Sequence, residues 1–258
     1  MAEVAPAPRL FAWRRDEAGV TRAVTCRAGG ASLGEYAEFN LGSRVADDAA
    51  RVARNRATLA AALDVEPDRM LFLHQVHGAE VIHASSAVTD EPMADAWVST
   101  TPGLALAVLA ADCVPVLLAD PAAGVIGAAH VGRPGMVAGT VSALVTRMRE
   151  LGAHAIDAVV GPAVCGRCYE VPQAMHDEVV AQVPAAHAVS QTGTAALDIA
   201  SGVLSQLAGL DVPAQQVLGC TRESADLYSY RRDGVTGRHA GVIVLRDRAA
   251  EPLPAGRR

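Results

Sequence analysis

Cys113 and His130 are the side chains with the most chemistry to offer, and both stand at the ends of short apolar runs. Residues 104–110 are apolar throughout and lead into Asp112 and Cys113. Residues 116–119 are apolar again and turn at Asp120-Pro121, and residues 124–129 deliver His130, followed by an expected loop, Gly132-Arg133-Pro134-Gly135. Apolar runs of this length, bounded by Gly, Pro and Asp, predict buried strands. A thiol and an imidazole facing each other across adjacent strands suit nucleophilic catalysis, with the imidazole as base, or metal ligation.

Each residue alone has a plainer explanation. Free cysteine is among the most buried residue types and packs as a small hydrophobe. A histidine closing an apolar run is commonly a satisfied core or loop residue. Their company argues for more: Asp112 sits beside the thiol, and Gly132, Arg133 and Gly135 follow the imidazole. Burying such a polar cluster without partners costs several kcal/mol.

Composition narrows the classes. The chain has 258 residues, 51% of them hydrophobic and 19% charged, which is globular and enough for one large domain or two small ones. No run approaches the ~18 apolar residues of a membrane span. The start, Met1-Ala2-Glu3-Val4-Ala5-Pro6, lacks the basic opening and apolar core of a secretory leader, so a cytoplasmic protein is expected. All 22 basic residues are arginine, which makes any single Arg weaker evidence for phosphate binding. A net charge of −6 offers nucleic acid no general attraction, and any anion site must be local. Five scattered cysteines do not form a secreted disulfide framework.

The elements that must position these residues read as one α/β domain. Residues 1–9 are expected as a flexible tail, 10–248 as a single catalytic domain and 249–258 as a second tail. Residues 10–13 and 20–26 predict a hairpin around Asp16-Glu17-Ala18-Gly19. Asp47 or Asp48 caps a helix to residue 63, with Val52, Leu59 and Leu63 as its apolar stripe. Short strands are expected at 70–73, 80–83, 94–98, 104–109, 156–160, 217–221 and 241–245, and helices at 137–151, 172–183 and 197–210. His74 and His77 lie in an extended stretch, where an odd spacing points them to opposite faces, so only one of them is taken as a ligand.

Three further motifs are ambiguous on their own. Arg27-Ala28-Gly29-Gly30 follows a strand and could hold an anion on backbone N–H groups, but it lacks P-loop spacing and reads first as a turn. Cys165-x-x-Cys168 is half a zinc site with no second pair at a suitable spacing, so a close-packed loop is expected. Arg231, Arg232 and Arg238 crowd a turn with one Asp, suited to phosphate or carboxylate but also to a solvated loop.

Taken in order, Thr25-Cys26-Arg27-Ala28-Gly29-Gly30, Asn40-Leu41-Gly42, Asn55-Arg56, Gln75-Val76-His77-Gly78, Ala111-Asp112-Cys113-Val114-Pro115, His130-Val131-Gly132-Arg133, Gly161-Pro162, Tyr169-Glu170-Val171 and Ser229-Tyr230-Arg231-Arg232-Asp233-Gly234 resemble the YfiH/YlmD family. That family is described both as a laccase-like polyphenol oxidase domain and as zinc-containing purine nucleoside phosphorylases with adenosine deaminase activity. The resemblance implies an α+β fold, a single domain with a central mixed β-sandwich flanked by helices, like that of the necrotizing-factor toxins. It implies His77, Cys113 and His130 as ligands of zinc, with copper possible at the same site. The substrates implied are phosphate and adenosine, inosine, guanosine or methylthioadenosine. One departure stands out: the His-Ala-Gly-Trp-Arg-Gly expected at the third ligand is here His130-Val131-Gly132-Arg133-Pro134-Gly135, with no Trp.

On this reading the catalytic set is Cys113, His130 and Asp112, the last for proton transfer or for orienting a ligand histidine. Substrate binding falls to Arg27, Gly29, Gly30, Asn40, Arg133, Arg231 and Arg232, with Arg27 and the two glycines as a phosphate cradle. Two rivals remain, the first on the same residues. A thiol hydrolase would take Cys113 as nucleophile and His130 as base, cleaving an amide in a cell-wall precursor or protein. A multicopper oxidase needs roughly ten histidines by the ligand demands of its centres, and the chain has 8.

Overall fold

Side-chain parity along the strands explains how so apolar a chain arranges itself. The computed structural model describes residues 9–87 and 90–246, so the expected tails lie outside the described residues except for Arg9 and the end of the domain is seen to 246. The order is β1 (Phe11–Glu17), β2 (Val20–Thr25), α1 (Ala49–Ala62), β3 (Met70–Leu71), β4 (Val81–His83), β5 (Ala96–Ser99), β6 (Ala105–Ala110), β7 (Val114–Asp120) and β8 (Val125–Val131). It continues with α2 (Arg133–Ala138), α3 (Thr140–Glu150), β9 (Asp157–Val160), α4 (Gln173–Gln182), β10 (His187–Val189), β11 (Ala195–Leu197), α5 (Ile199–Gly209), β12 (Ala214–Gln216), α6 (Tyr230–Asp233) and β13 (His239–Leu245).

Two mixed sheets face each other. One has five strands in the order β1-β2-β13-β6-β3, the other six in the order β12-β9-β7-β8-β5-β4. Between them pack Leu106 and Val108 of β6, Leu117 and Ala119 of β7, Ile126 and Ala128 of β8, and Ile243 and Leu245 of β13, around Trp97. Their sequence neighbours point the other way. Val116 and Leu118 meet α3 and α5 through Leu144, Met148 and Val203, while Ala105, Ala107, Val242 and Val244 meet α1 through Leu59 and Leu63. Strands covered on both faces are apolar on both, which is why β6, β7, β8 and β13 read as near-continuous runs rather than alternating ones, with polar residues only at or near their ends. The result is helix, sheet, sheet, helices: the α+β sandwich expected.

Parity also locates the site. His130 follows Ile126 and Ala128 on the inter-sheet side of β8, and β8 pairs it with Pro115 of β7. Cys113, two residues before Pro115, has the same parity. Both side chains therefore emerge where the gap between the sheets opens at one end.

Several local expectations need correction. Gly132-Arg133-Pro134-Gly135 is not a loop: Gly132 caps α2 and Pro134 lies in its first turn, where a missing N–H costs nothing. Gly139, at φ +81°, then separates α2 from α3 in what reads as one helix. The strand expected at 217–221 is displaced to Ala214–Gln216, parallel to β9, and Cys220 keeps only an isolated bridge to Ala163. Leu197 ends β11 rather than opening a helix, because Asp198 caps α5 by accepting from the N–H of Ser201. The β10–β11 hairpin was not anticipated.

Candidate metal centre

The centre is assembled around a carboxylate that the sequence did not single out. Asp95 is fully buried just ahead of β5. Its Oδ1 accepts from the N–H of His77 at 2.9 Å and lies 2.8 Å from His130 Nδ1. Its Oδ2 accepts from the N–H groups of Val76 at 3.1 Å and Gly78 at 2.7 Å. Burial pushes this carboxyl up, but His130 and the Gly78 N–H outweigh it and hold it below the usual range. The backbone at 76–78 is thereby bent into a turn in which His77 takes the left-handed φ of +61°, an unusual conformation for a residue with a Cβ.

That turn brings His77 to the other two candidates. His77 Nε2 is 3.8 Å from Cys113 Sγ, and the His77 ring stands edge-on to that of His130 with centroids 4.8 Å apart. The ligating atoms of His77, Cys113 and His130 all lie within 4.8 Å of one another. Gly132 leaves room for this: a Cβ there would come within 2.7 Å of the His77 ring and 3.1 Å of the Cys113 sulfur. Odd spacing in a strand would also have separated His74 from His77, but the reason here is different, since 74–78 is a loop and His74 bridges to Met93 instead.

The electrostatics suit a metal. Burial alone would push the Cys113 thiol up, yet His130 and His77 bring it down to about 6. Burial alone would lower His130, yet the Cys113 sulfur and Asp95 raise it to about 9. Both shifts favour the charged pair, a thiolate and an imidazolium, in the absence of metal. With Nδ1–H committed to Asp95, His130 presents Nε2 to the centre, the arrangement by which an outer carboxylate fixes a ligand's tautomer. Two imidazoles and a thiolate make a donor set that zinc and copper both accept, with one coordination position left open on a tetrahedral ion.

The centre lies in the wall of a cavity of about 740 Å³. Asp112 also borders it, but its carboxylate is spent: Oδ1 accepts from the hydroxyls of Thr221 and Ser229, both at 2.6 Å, and Oδ2 from the N–H of Arg231 at 2.6 Å. It does not touch a histidine. The histidine-orienting role expected of Asp112 belongs to Asp95, and Asp112 instead ties the Cys113 loop to the chain ahead of β13.

Of the expected substrate-binding residues, Arg133 and Arg231 border the cavity. Arg133 makes no hydrogen bond or ion pair among the described residues, so its charge is available. Arg231 donates to the Glu170 carbonyl at 3.0 Å and lies over the Tyr169 ring at 4.5 Å. Arg27, Gly29, Gly30, Asn40 and Arg232 are placed outside it. Arg27 donates to the Ala37 carbonyl and stacks on Tyr228. The Gly29 N–H is taken by Glu38, and Gly30 packs against the backbone of Glu38 and Phe39 so closely that no Cβ fits. Such a loop has its donors turned inward and makes a turn, not a cradle. Asn40 is fully buried, and its Oδ1 accepts from the N–H groups of Gly42 and Arg238. Arg232 donates to the carbonyls of Thr221, Ser224 and Leu227.

Other cavity residues were missed. Arg44 and Glu91 form an ion pair at 3.3 Å on its wall, and Arg238 and the aromatic rings of Tyr169 and Tyr230 complete it. Arg238 was visible as part of the arginine-rich turn. For Asp95 the available signal was a lone acid opening an apolar strand, the same signature that drew notice to Asp112.

The comparisons with known proteins agree with this fold. The family model described as multi-copper polyphenol oxidoreductase laccase matches residues 21–246. A Streptomyces coelicolor protein named purine nucleoside phosphorylase is 54% identical over 226 residues, covering 86% of this chain and 93% of its own length. Escherichia coli YfiH, also named a purine nucleoside phosphorylase, is 36% identical over 233 residues, covering 88% of this chain and 94% of its own. The crystal structure of YlmD from Geobacillus stearothermophilus superposes with a TM-score of 0.83 at 30% identity, over 95% of this chain and 98% of that one. With the sandwich, the three-ligand centre and these matches together, the chain belongs to the YfiH/YlmD family, whose family model carries the laccase description.

Proposed function

We propose that this protein is a purine nucleoside phosphorylase that also deaminates adenosine, with zinc held by His77, Cys113 and His130. The observation that carries the reading is the convergence of those three side chains on a cavity whose other walls are aromatic and arginine-rich. Its volume of about 740 Å³ falls in the range of small-molecule sites and accommodates a nucleoside with phosphate. The names of the relatives support the phosphorylase part of this reading.

Phosphorolysis breaks the bond from ribose C1′ to the purine nitrogen and forms one from C1′ to a phosphate oxygen. Arg133 is the natural phosphate contact, because its guanidinium is uncommitted and beside the centre. Arg238 adds positive charge to the same cavity, Arg44 being paired with Glu91, and Tyr169 and Tyr230 give the purine a surface to stack on in place of the absent Trp. Asp112 positions Arg231 and the Cys113 loop rather than moving protons. When bound, zinc with its open position supplies a Lewis acid and lowers the pKa of water to about 7, which is the requirement for deamination.

One observation favours a second reading. The thiolate–imidazolium pair of Cys113 and His130 is what a thiol hydrolase requires. His77 counts against it, since such a pair needs no second imidazole. Multicopper chemistry is disfavoured because only His77 and His130 reach the cavity, while His176 pairs with His187 at 2.9 Å and His239 is buried.

The deciding experiment measures inosine and adenosine turnover, with and without phosphate, on metal-quantified wild type and Cys113→Ala. Phosphate-dependent purine release with about one zinc at this centre, both lost in the variant, is the expected result. Full amide hydrolysis by metal-free protein, with no purine release, would overturn it.

A further inference from the structure

The Cys165-x-x-Cys168 pair is not half a site after all. The fold returns a second pair to it: the donor atoms of Cys165, Cys168, Cys220 and Glu223 lie within 4.8 Å of one another. Both pairs are turns of the same kind. The N–H of Cys168 donates to the Cys165 carbonyl at 2.9 Å, and that of Glu223 to the Cys220 carbonyl at 3.2 Å. The turns are held side by side by the bridge between Ala163 and Cys220, with the N–H of Thr221 on the Ala163 carbonyl at 3.0 Å. Across the gap the N–H of Cys165 points at Cys220 Sγ at 3.4 Å, and Cys168 Sγ donates to Glu223 Oε1 at 3.4 Å.

We propose that Cys165, Cys168, Cys220 and Glu223 form a second metal site, structural in character, that takes a zinc ion and clamps the 163–169 loop to the 220–223 loop. A packed apolar cluster would explain three cysteines beside Val164, but not a carboxylate oxygen turned toward them. The same Glu223 Oε1 also accepts from Gln191 Nε2 at 3.1 Å and Arg167 at 3.5 Å, partners that hold the carboxylate beside the thiols. All three thiols are free, so no disulfide competes for them. Three thiolates and a carboxylate complete a tetrahedron with no open position, in contrast to the first centre, and a thiolate-rich set selects a soft or borderline ion. A zinc–sulfur bond of about 2.3 Å sets ligand sulfurs roughly 3.8 Å apart, so binding draws the most widely separated donors together by at most about an ångström, while Cys168 Sγ and Glu223 Oε1 at 3.4 Å are already close enough.

The site has a route to the cavity. Val164 and Tyr169 flank the first turn and border the cavity, and Thr221, within the second, donates its hydroxyl to Asp112 at 2.6 Å. Metal here fixes the Val164 and Tyr169 wall of the cavity without touching substrate.

The test uses Cys113→Ala, in which the first centre has no sulfur left to give. Reduced protein is titrated with zinc and with cobalt(II), and absorption and metal content are measured after desalting. The expected result is about one ion per chain, sulfur-to-cobalt charge-transfer absorption, and a higher melting temperature with zinc. That absorption should vanish when Cys165→Ser, at a half-buried position, is added, and Glu223→Gln should weaken zinc retention even if the cysteine variant folds poorly. Failure of reduced Cys113→Ala to take up either ion, or charge-transfer absorption unchanged by Cys165→Ser, would overturn the proposal. So would a Cys165–Cys168 disulfide in the isolated protein with no metal uptake after its reduction. None of these results bears on nucleoside turnover by the first centre.

Discussion

Asp95 and His130 share a buried contact of 2.8 Å, and the same carboxylate collects the backbone N–H groups of Val76, His77 and Gly78. One side chain thus fixes the tautomer of one ligand and the backbone of another. Asp95→Asn keeps the shape but replaces one acceptor oxygen with a donor, which must face either His130 Nδ1–H or an N–H of the turn. Outer-carboxylate losses of this kind weaken metal binding by about 10–100-fold. Chelator competition should show that loss for Asp95→Asn, whereas Asp112→Asn, which contacts no ligand imidazole, should change metal affinity far less.

The metal-free protein should carry a reactive thiol. Cys113 is lowered to about 6 by His130 and His77 against the upward push of burial. Its thiolate is therefore the major form above that pH and is lost as pH falls through it. Alkylation of Cys113 by iodoacetamide, followed by mass spectrometry, should rise to a plateau near neutrality, and zinc should protect it. A rate still climbing to pH 9, as for an ordinary thiol, would contradict the pairing.

Much of the sandwich was legible because β6, β7, β8 and β13 are continuous apolar runs except at or near their ends, where Asp120, His130 and His239 stand. The facing of Cys113 and His130 was legible for the same reason, as strand parity is a local property. What closes each site was not. His77 reaches the centre only because Asp95 bends residues 76–78 through a left-handed turn. Cys220 and Glu223 join Cys165 and Cys168 through a bridge between loops distant in sequence, which no spacing rule detects. The glycines near Arg27 misled in the opposite sense: Gly30 is there because the backbone of Glu38 and Phe39 fills the space of a Cβ.

Arg133 and Arg27 should separate cleanly in kinetics. Arg133 borders the cavity with its guanidinium uncommitted, and a charged hydrogen bond to phosphate is worth about 1.5–3 kcal/mol. Arg133→Ala should raise the KM for phosphate about tenfold or more with an unchanged fold. Arg27→Ala removes donors to the Ala37 carbonyl and the stack on Tyr228, so it should lower the melting temperature and leave that KM unaltered. A phosphate KM raised only by Arg27→Ala would restore the glycine-rich loop as the anion site.

His239 should make the fold sensitive to mild acid. It is fully buried on the inter-sheet side of β13, and neither ring nitrogen has a hydrogen-bond partner among the described residues. Burial, aided by the neighbouring Arg238, lowers it to about 3 from an ordinary value of 6.5. The folded state keeps the ring neutral while the unfolded chain takes up a proton below about 6.5, so the unfolded state binds more protons in that window. Stability is complete above pH 6.5 and falls as pH drops toward 3, by up to about 1.4 kcal/mol per pH unit for one proton. His239→Leu removes both the unpaired polar atoms and the titrating group. The difference in unfolding free energy between variant and wild type, from urea titrations, should therefore widen in the variant's favour as pH is lowered from 7 to 5. A difference independent of pH would show that His239 is not held neutral in the folded protein.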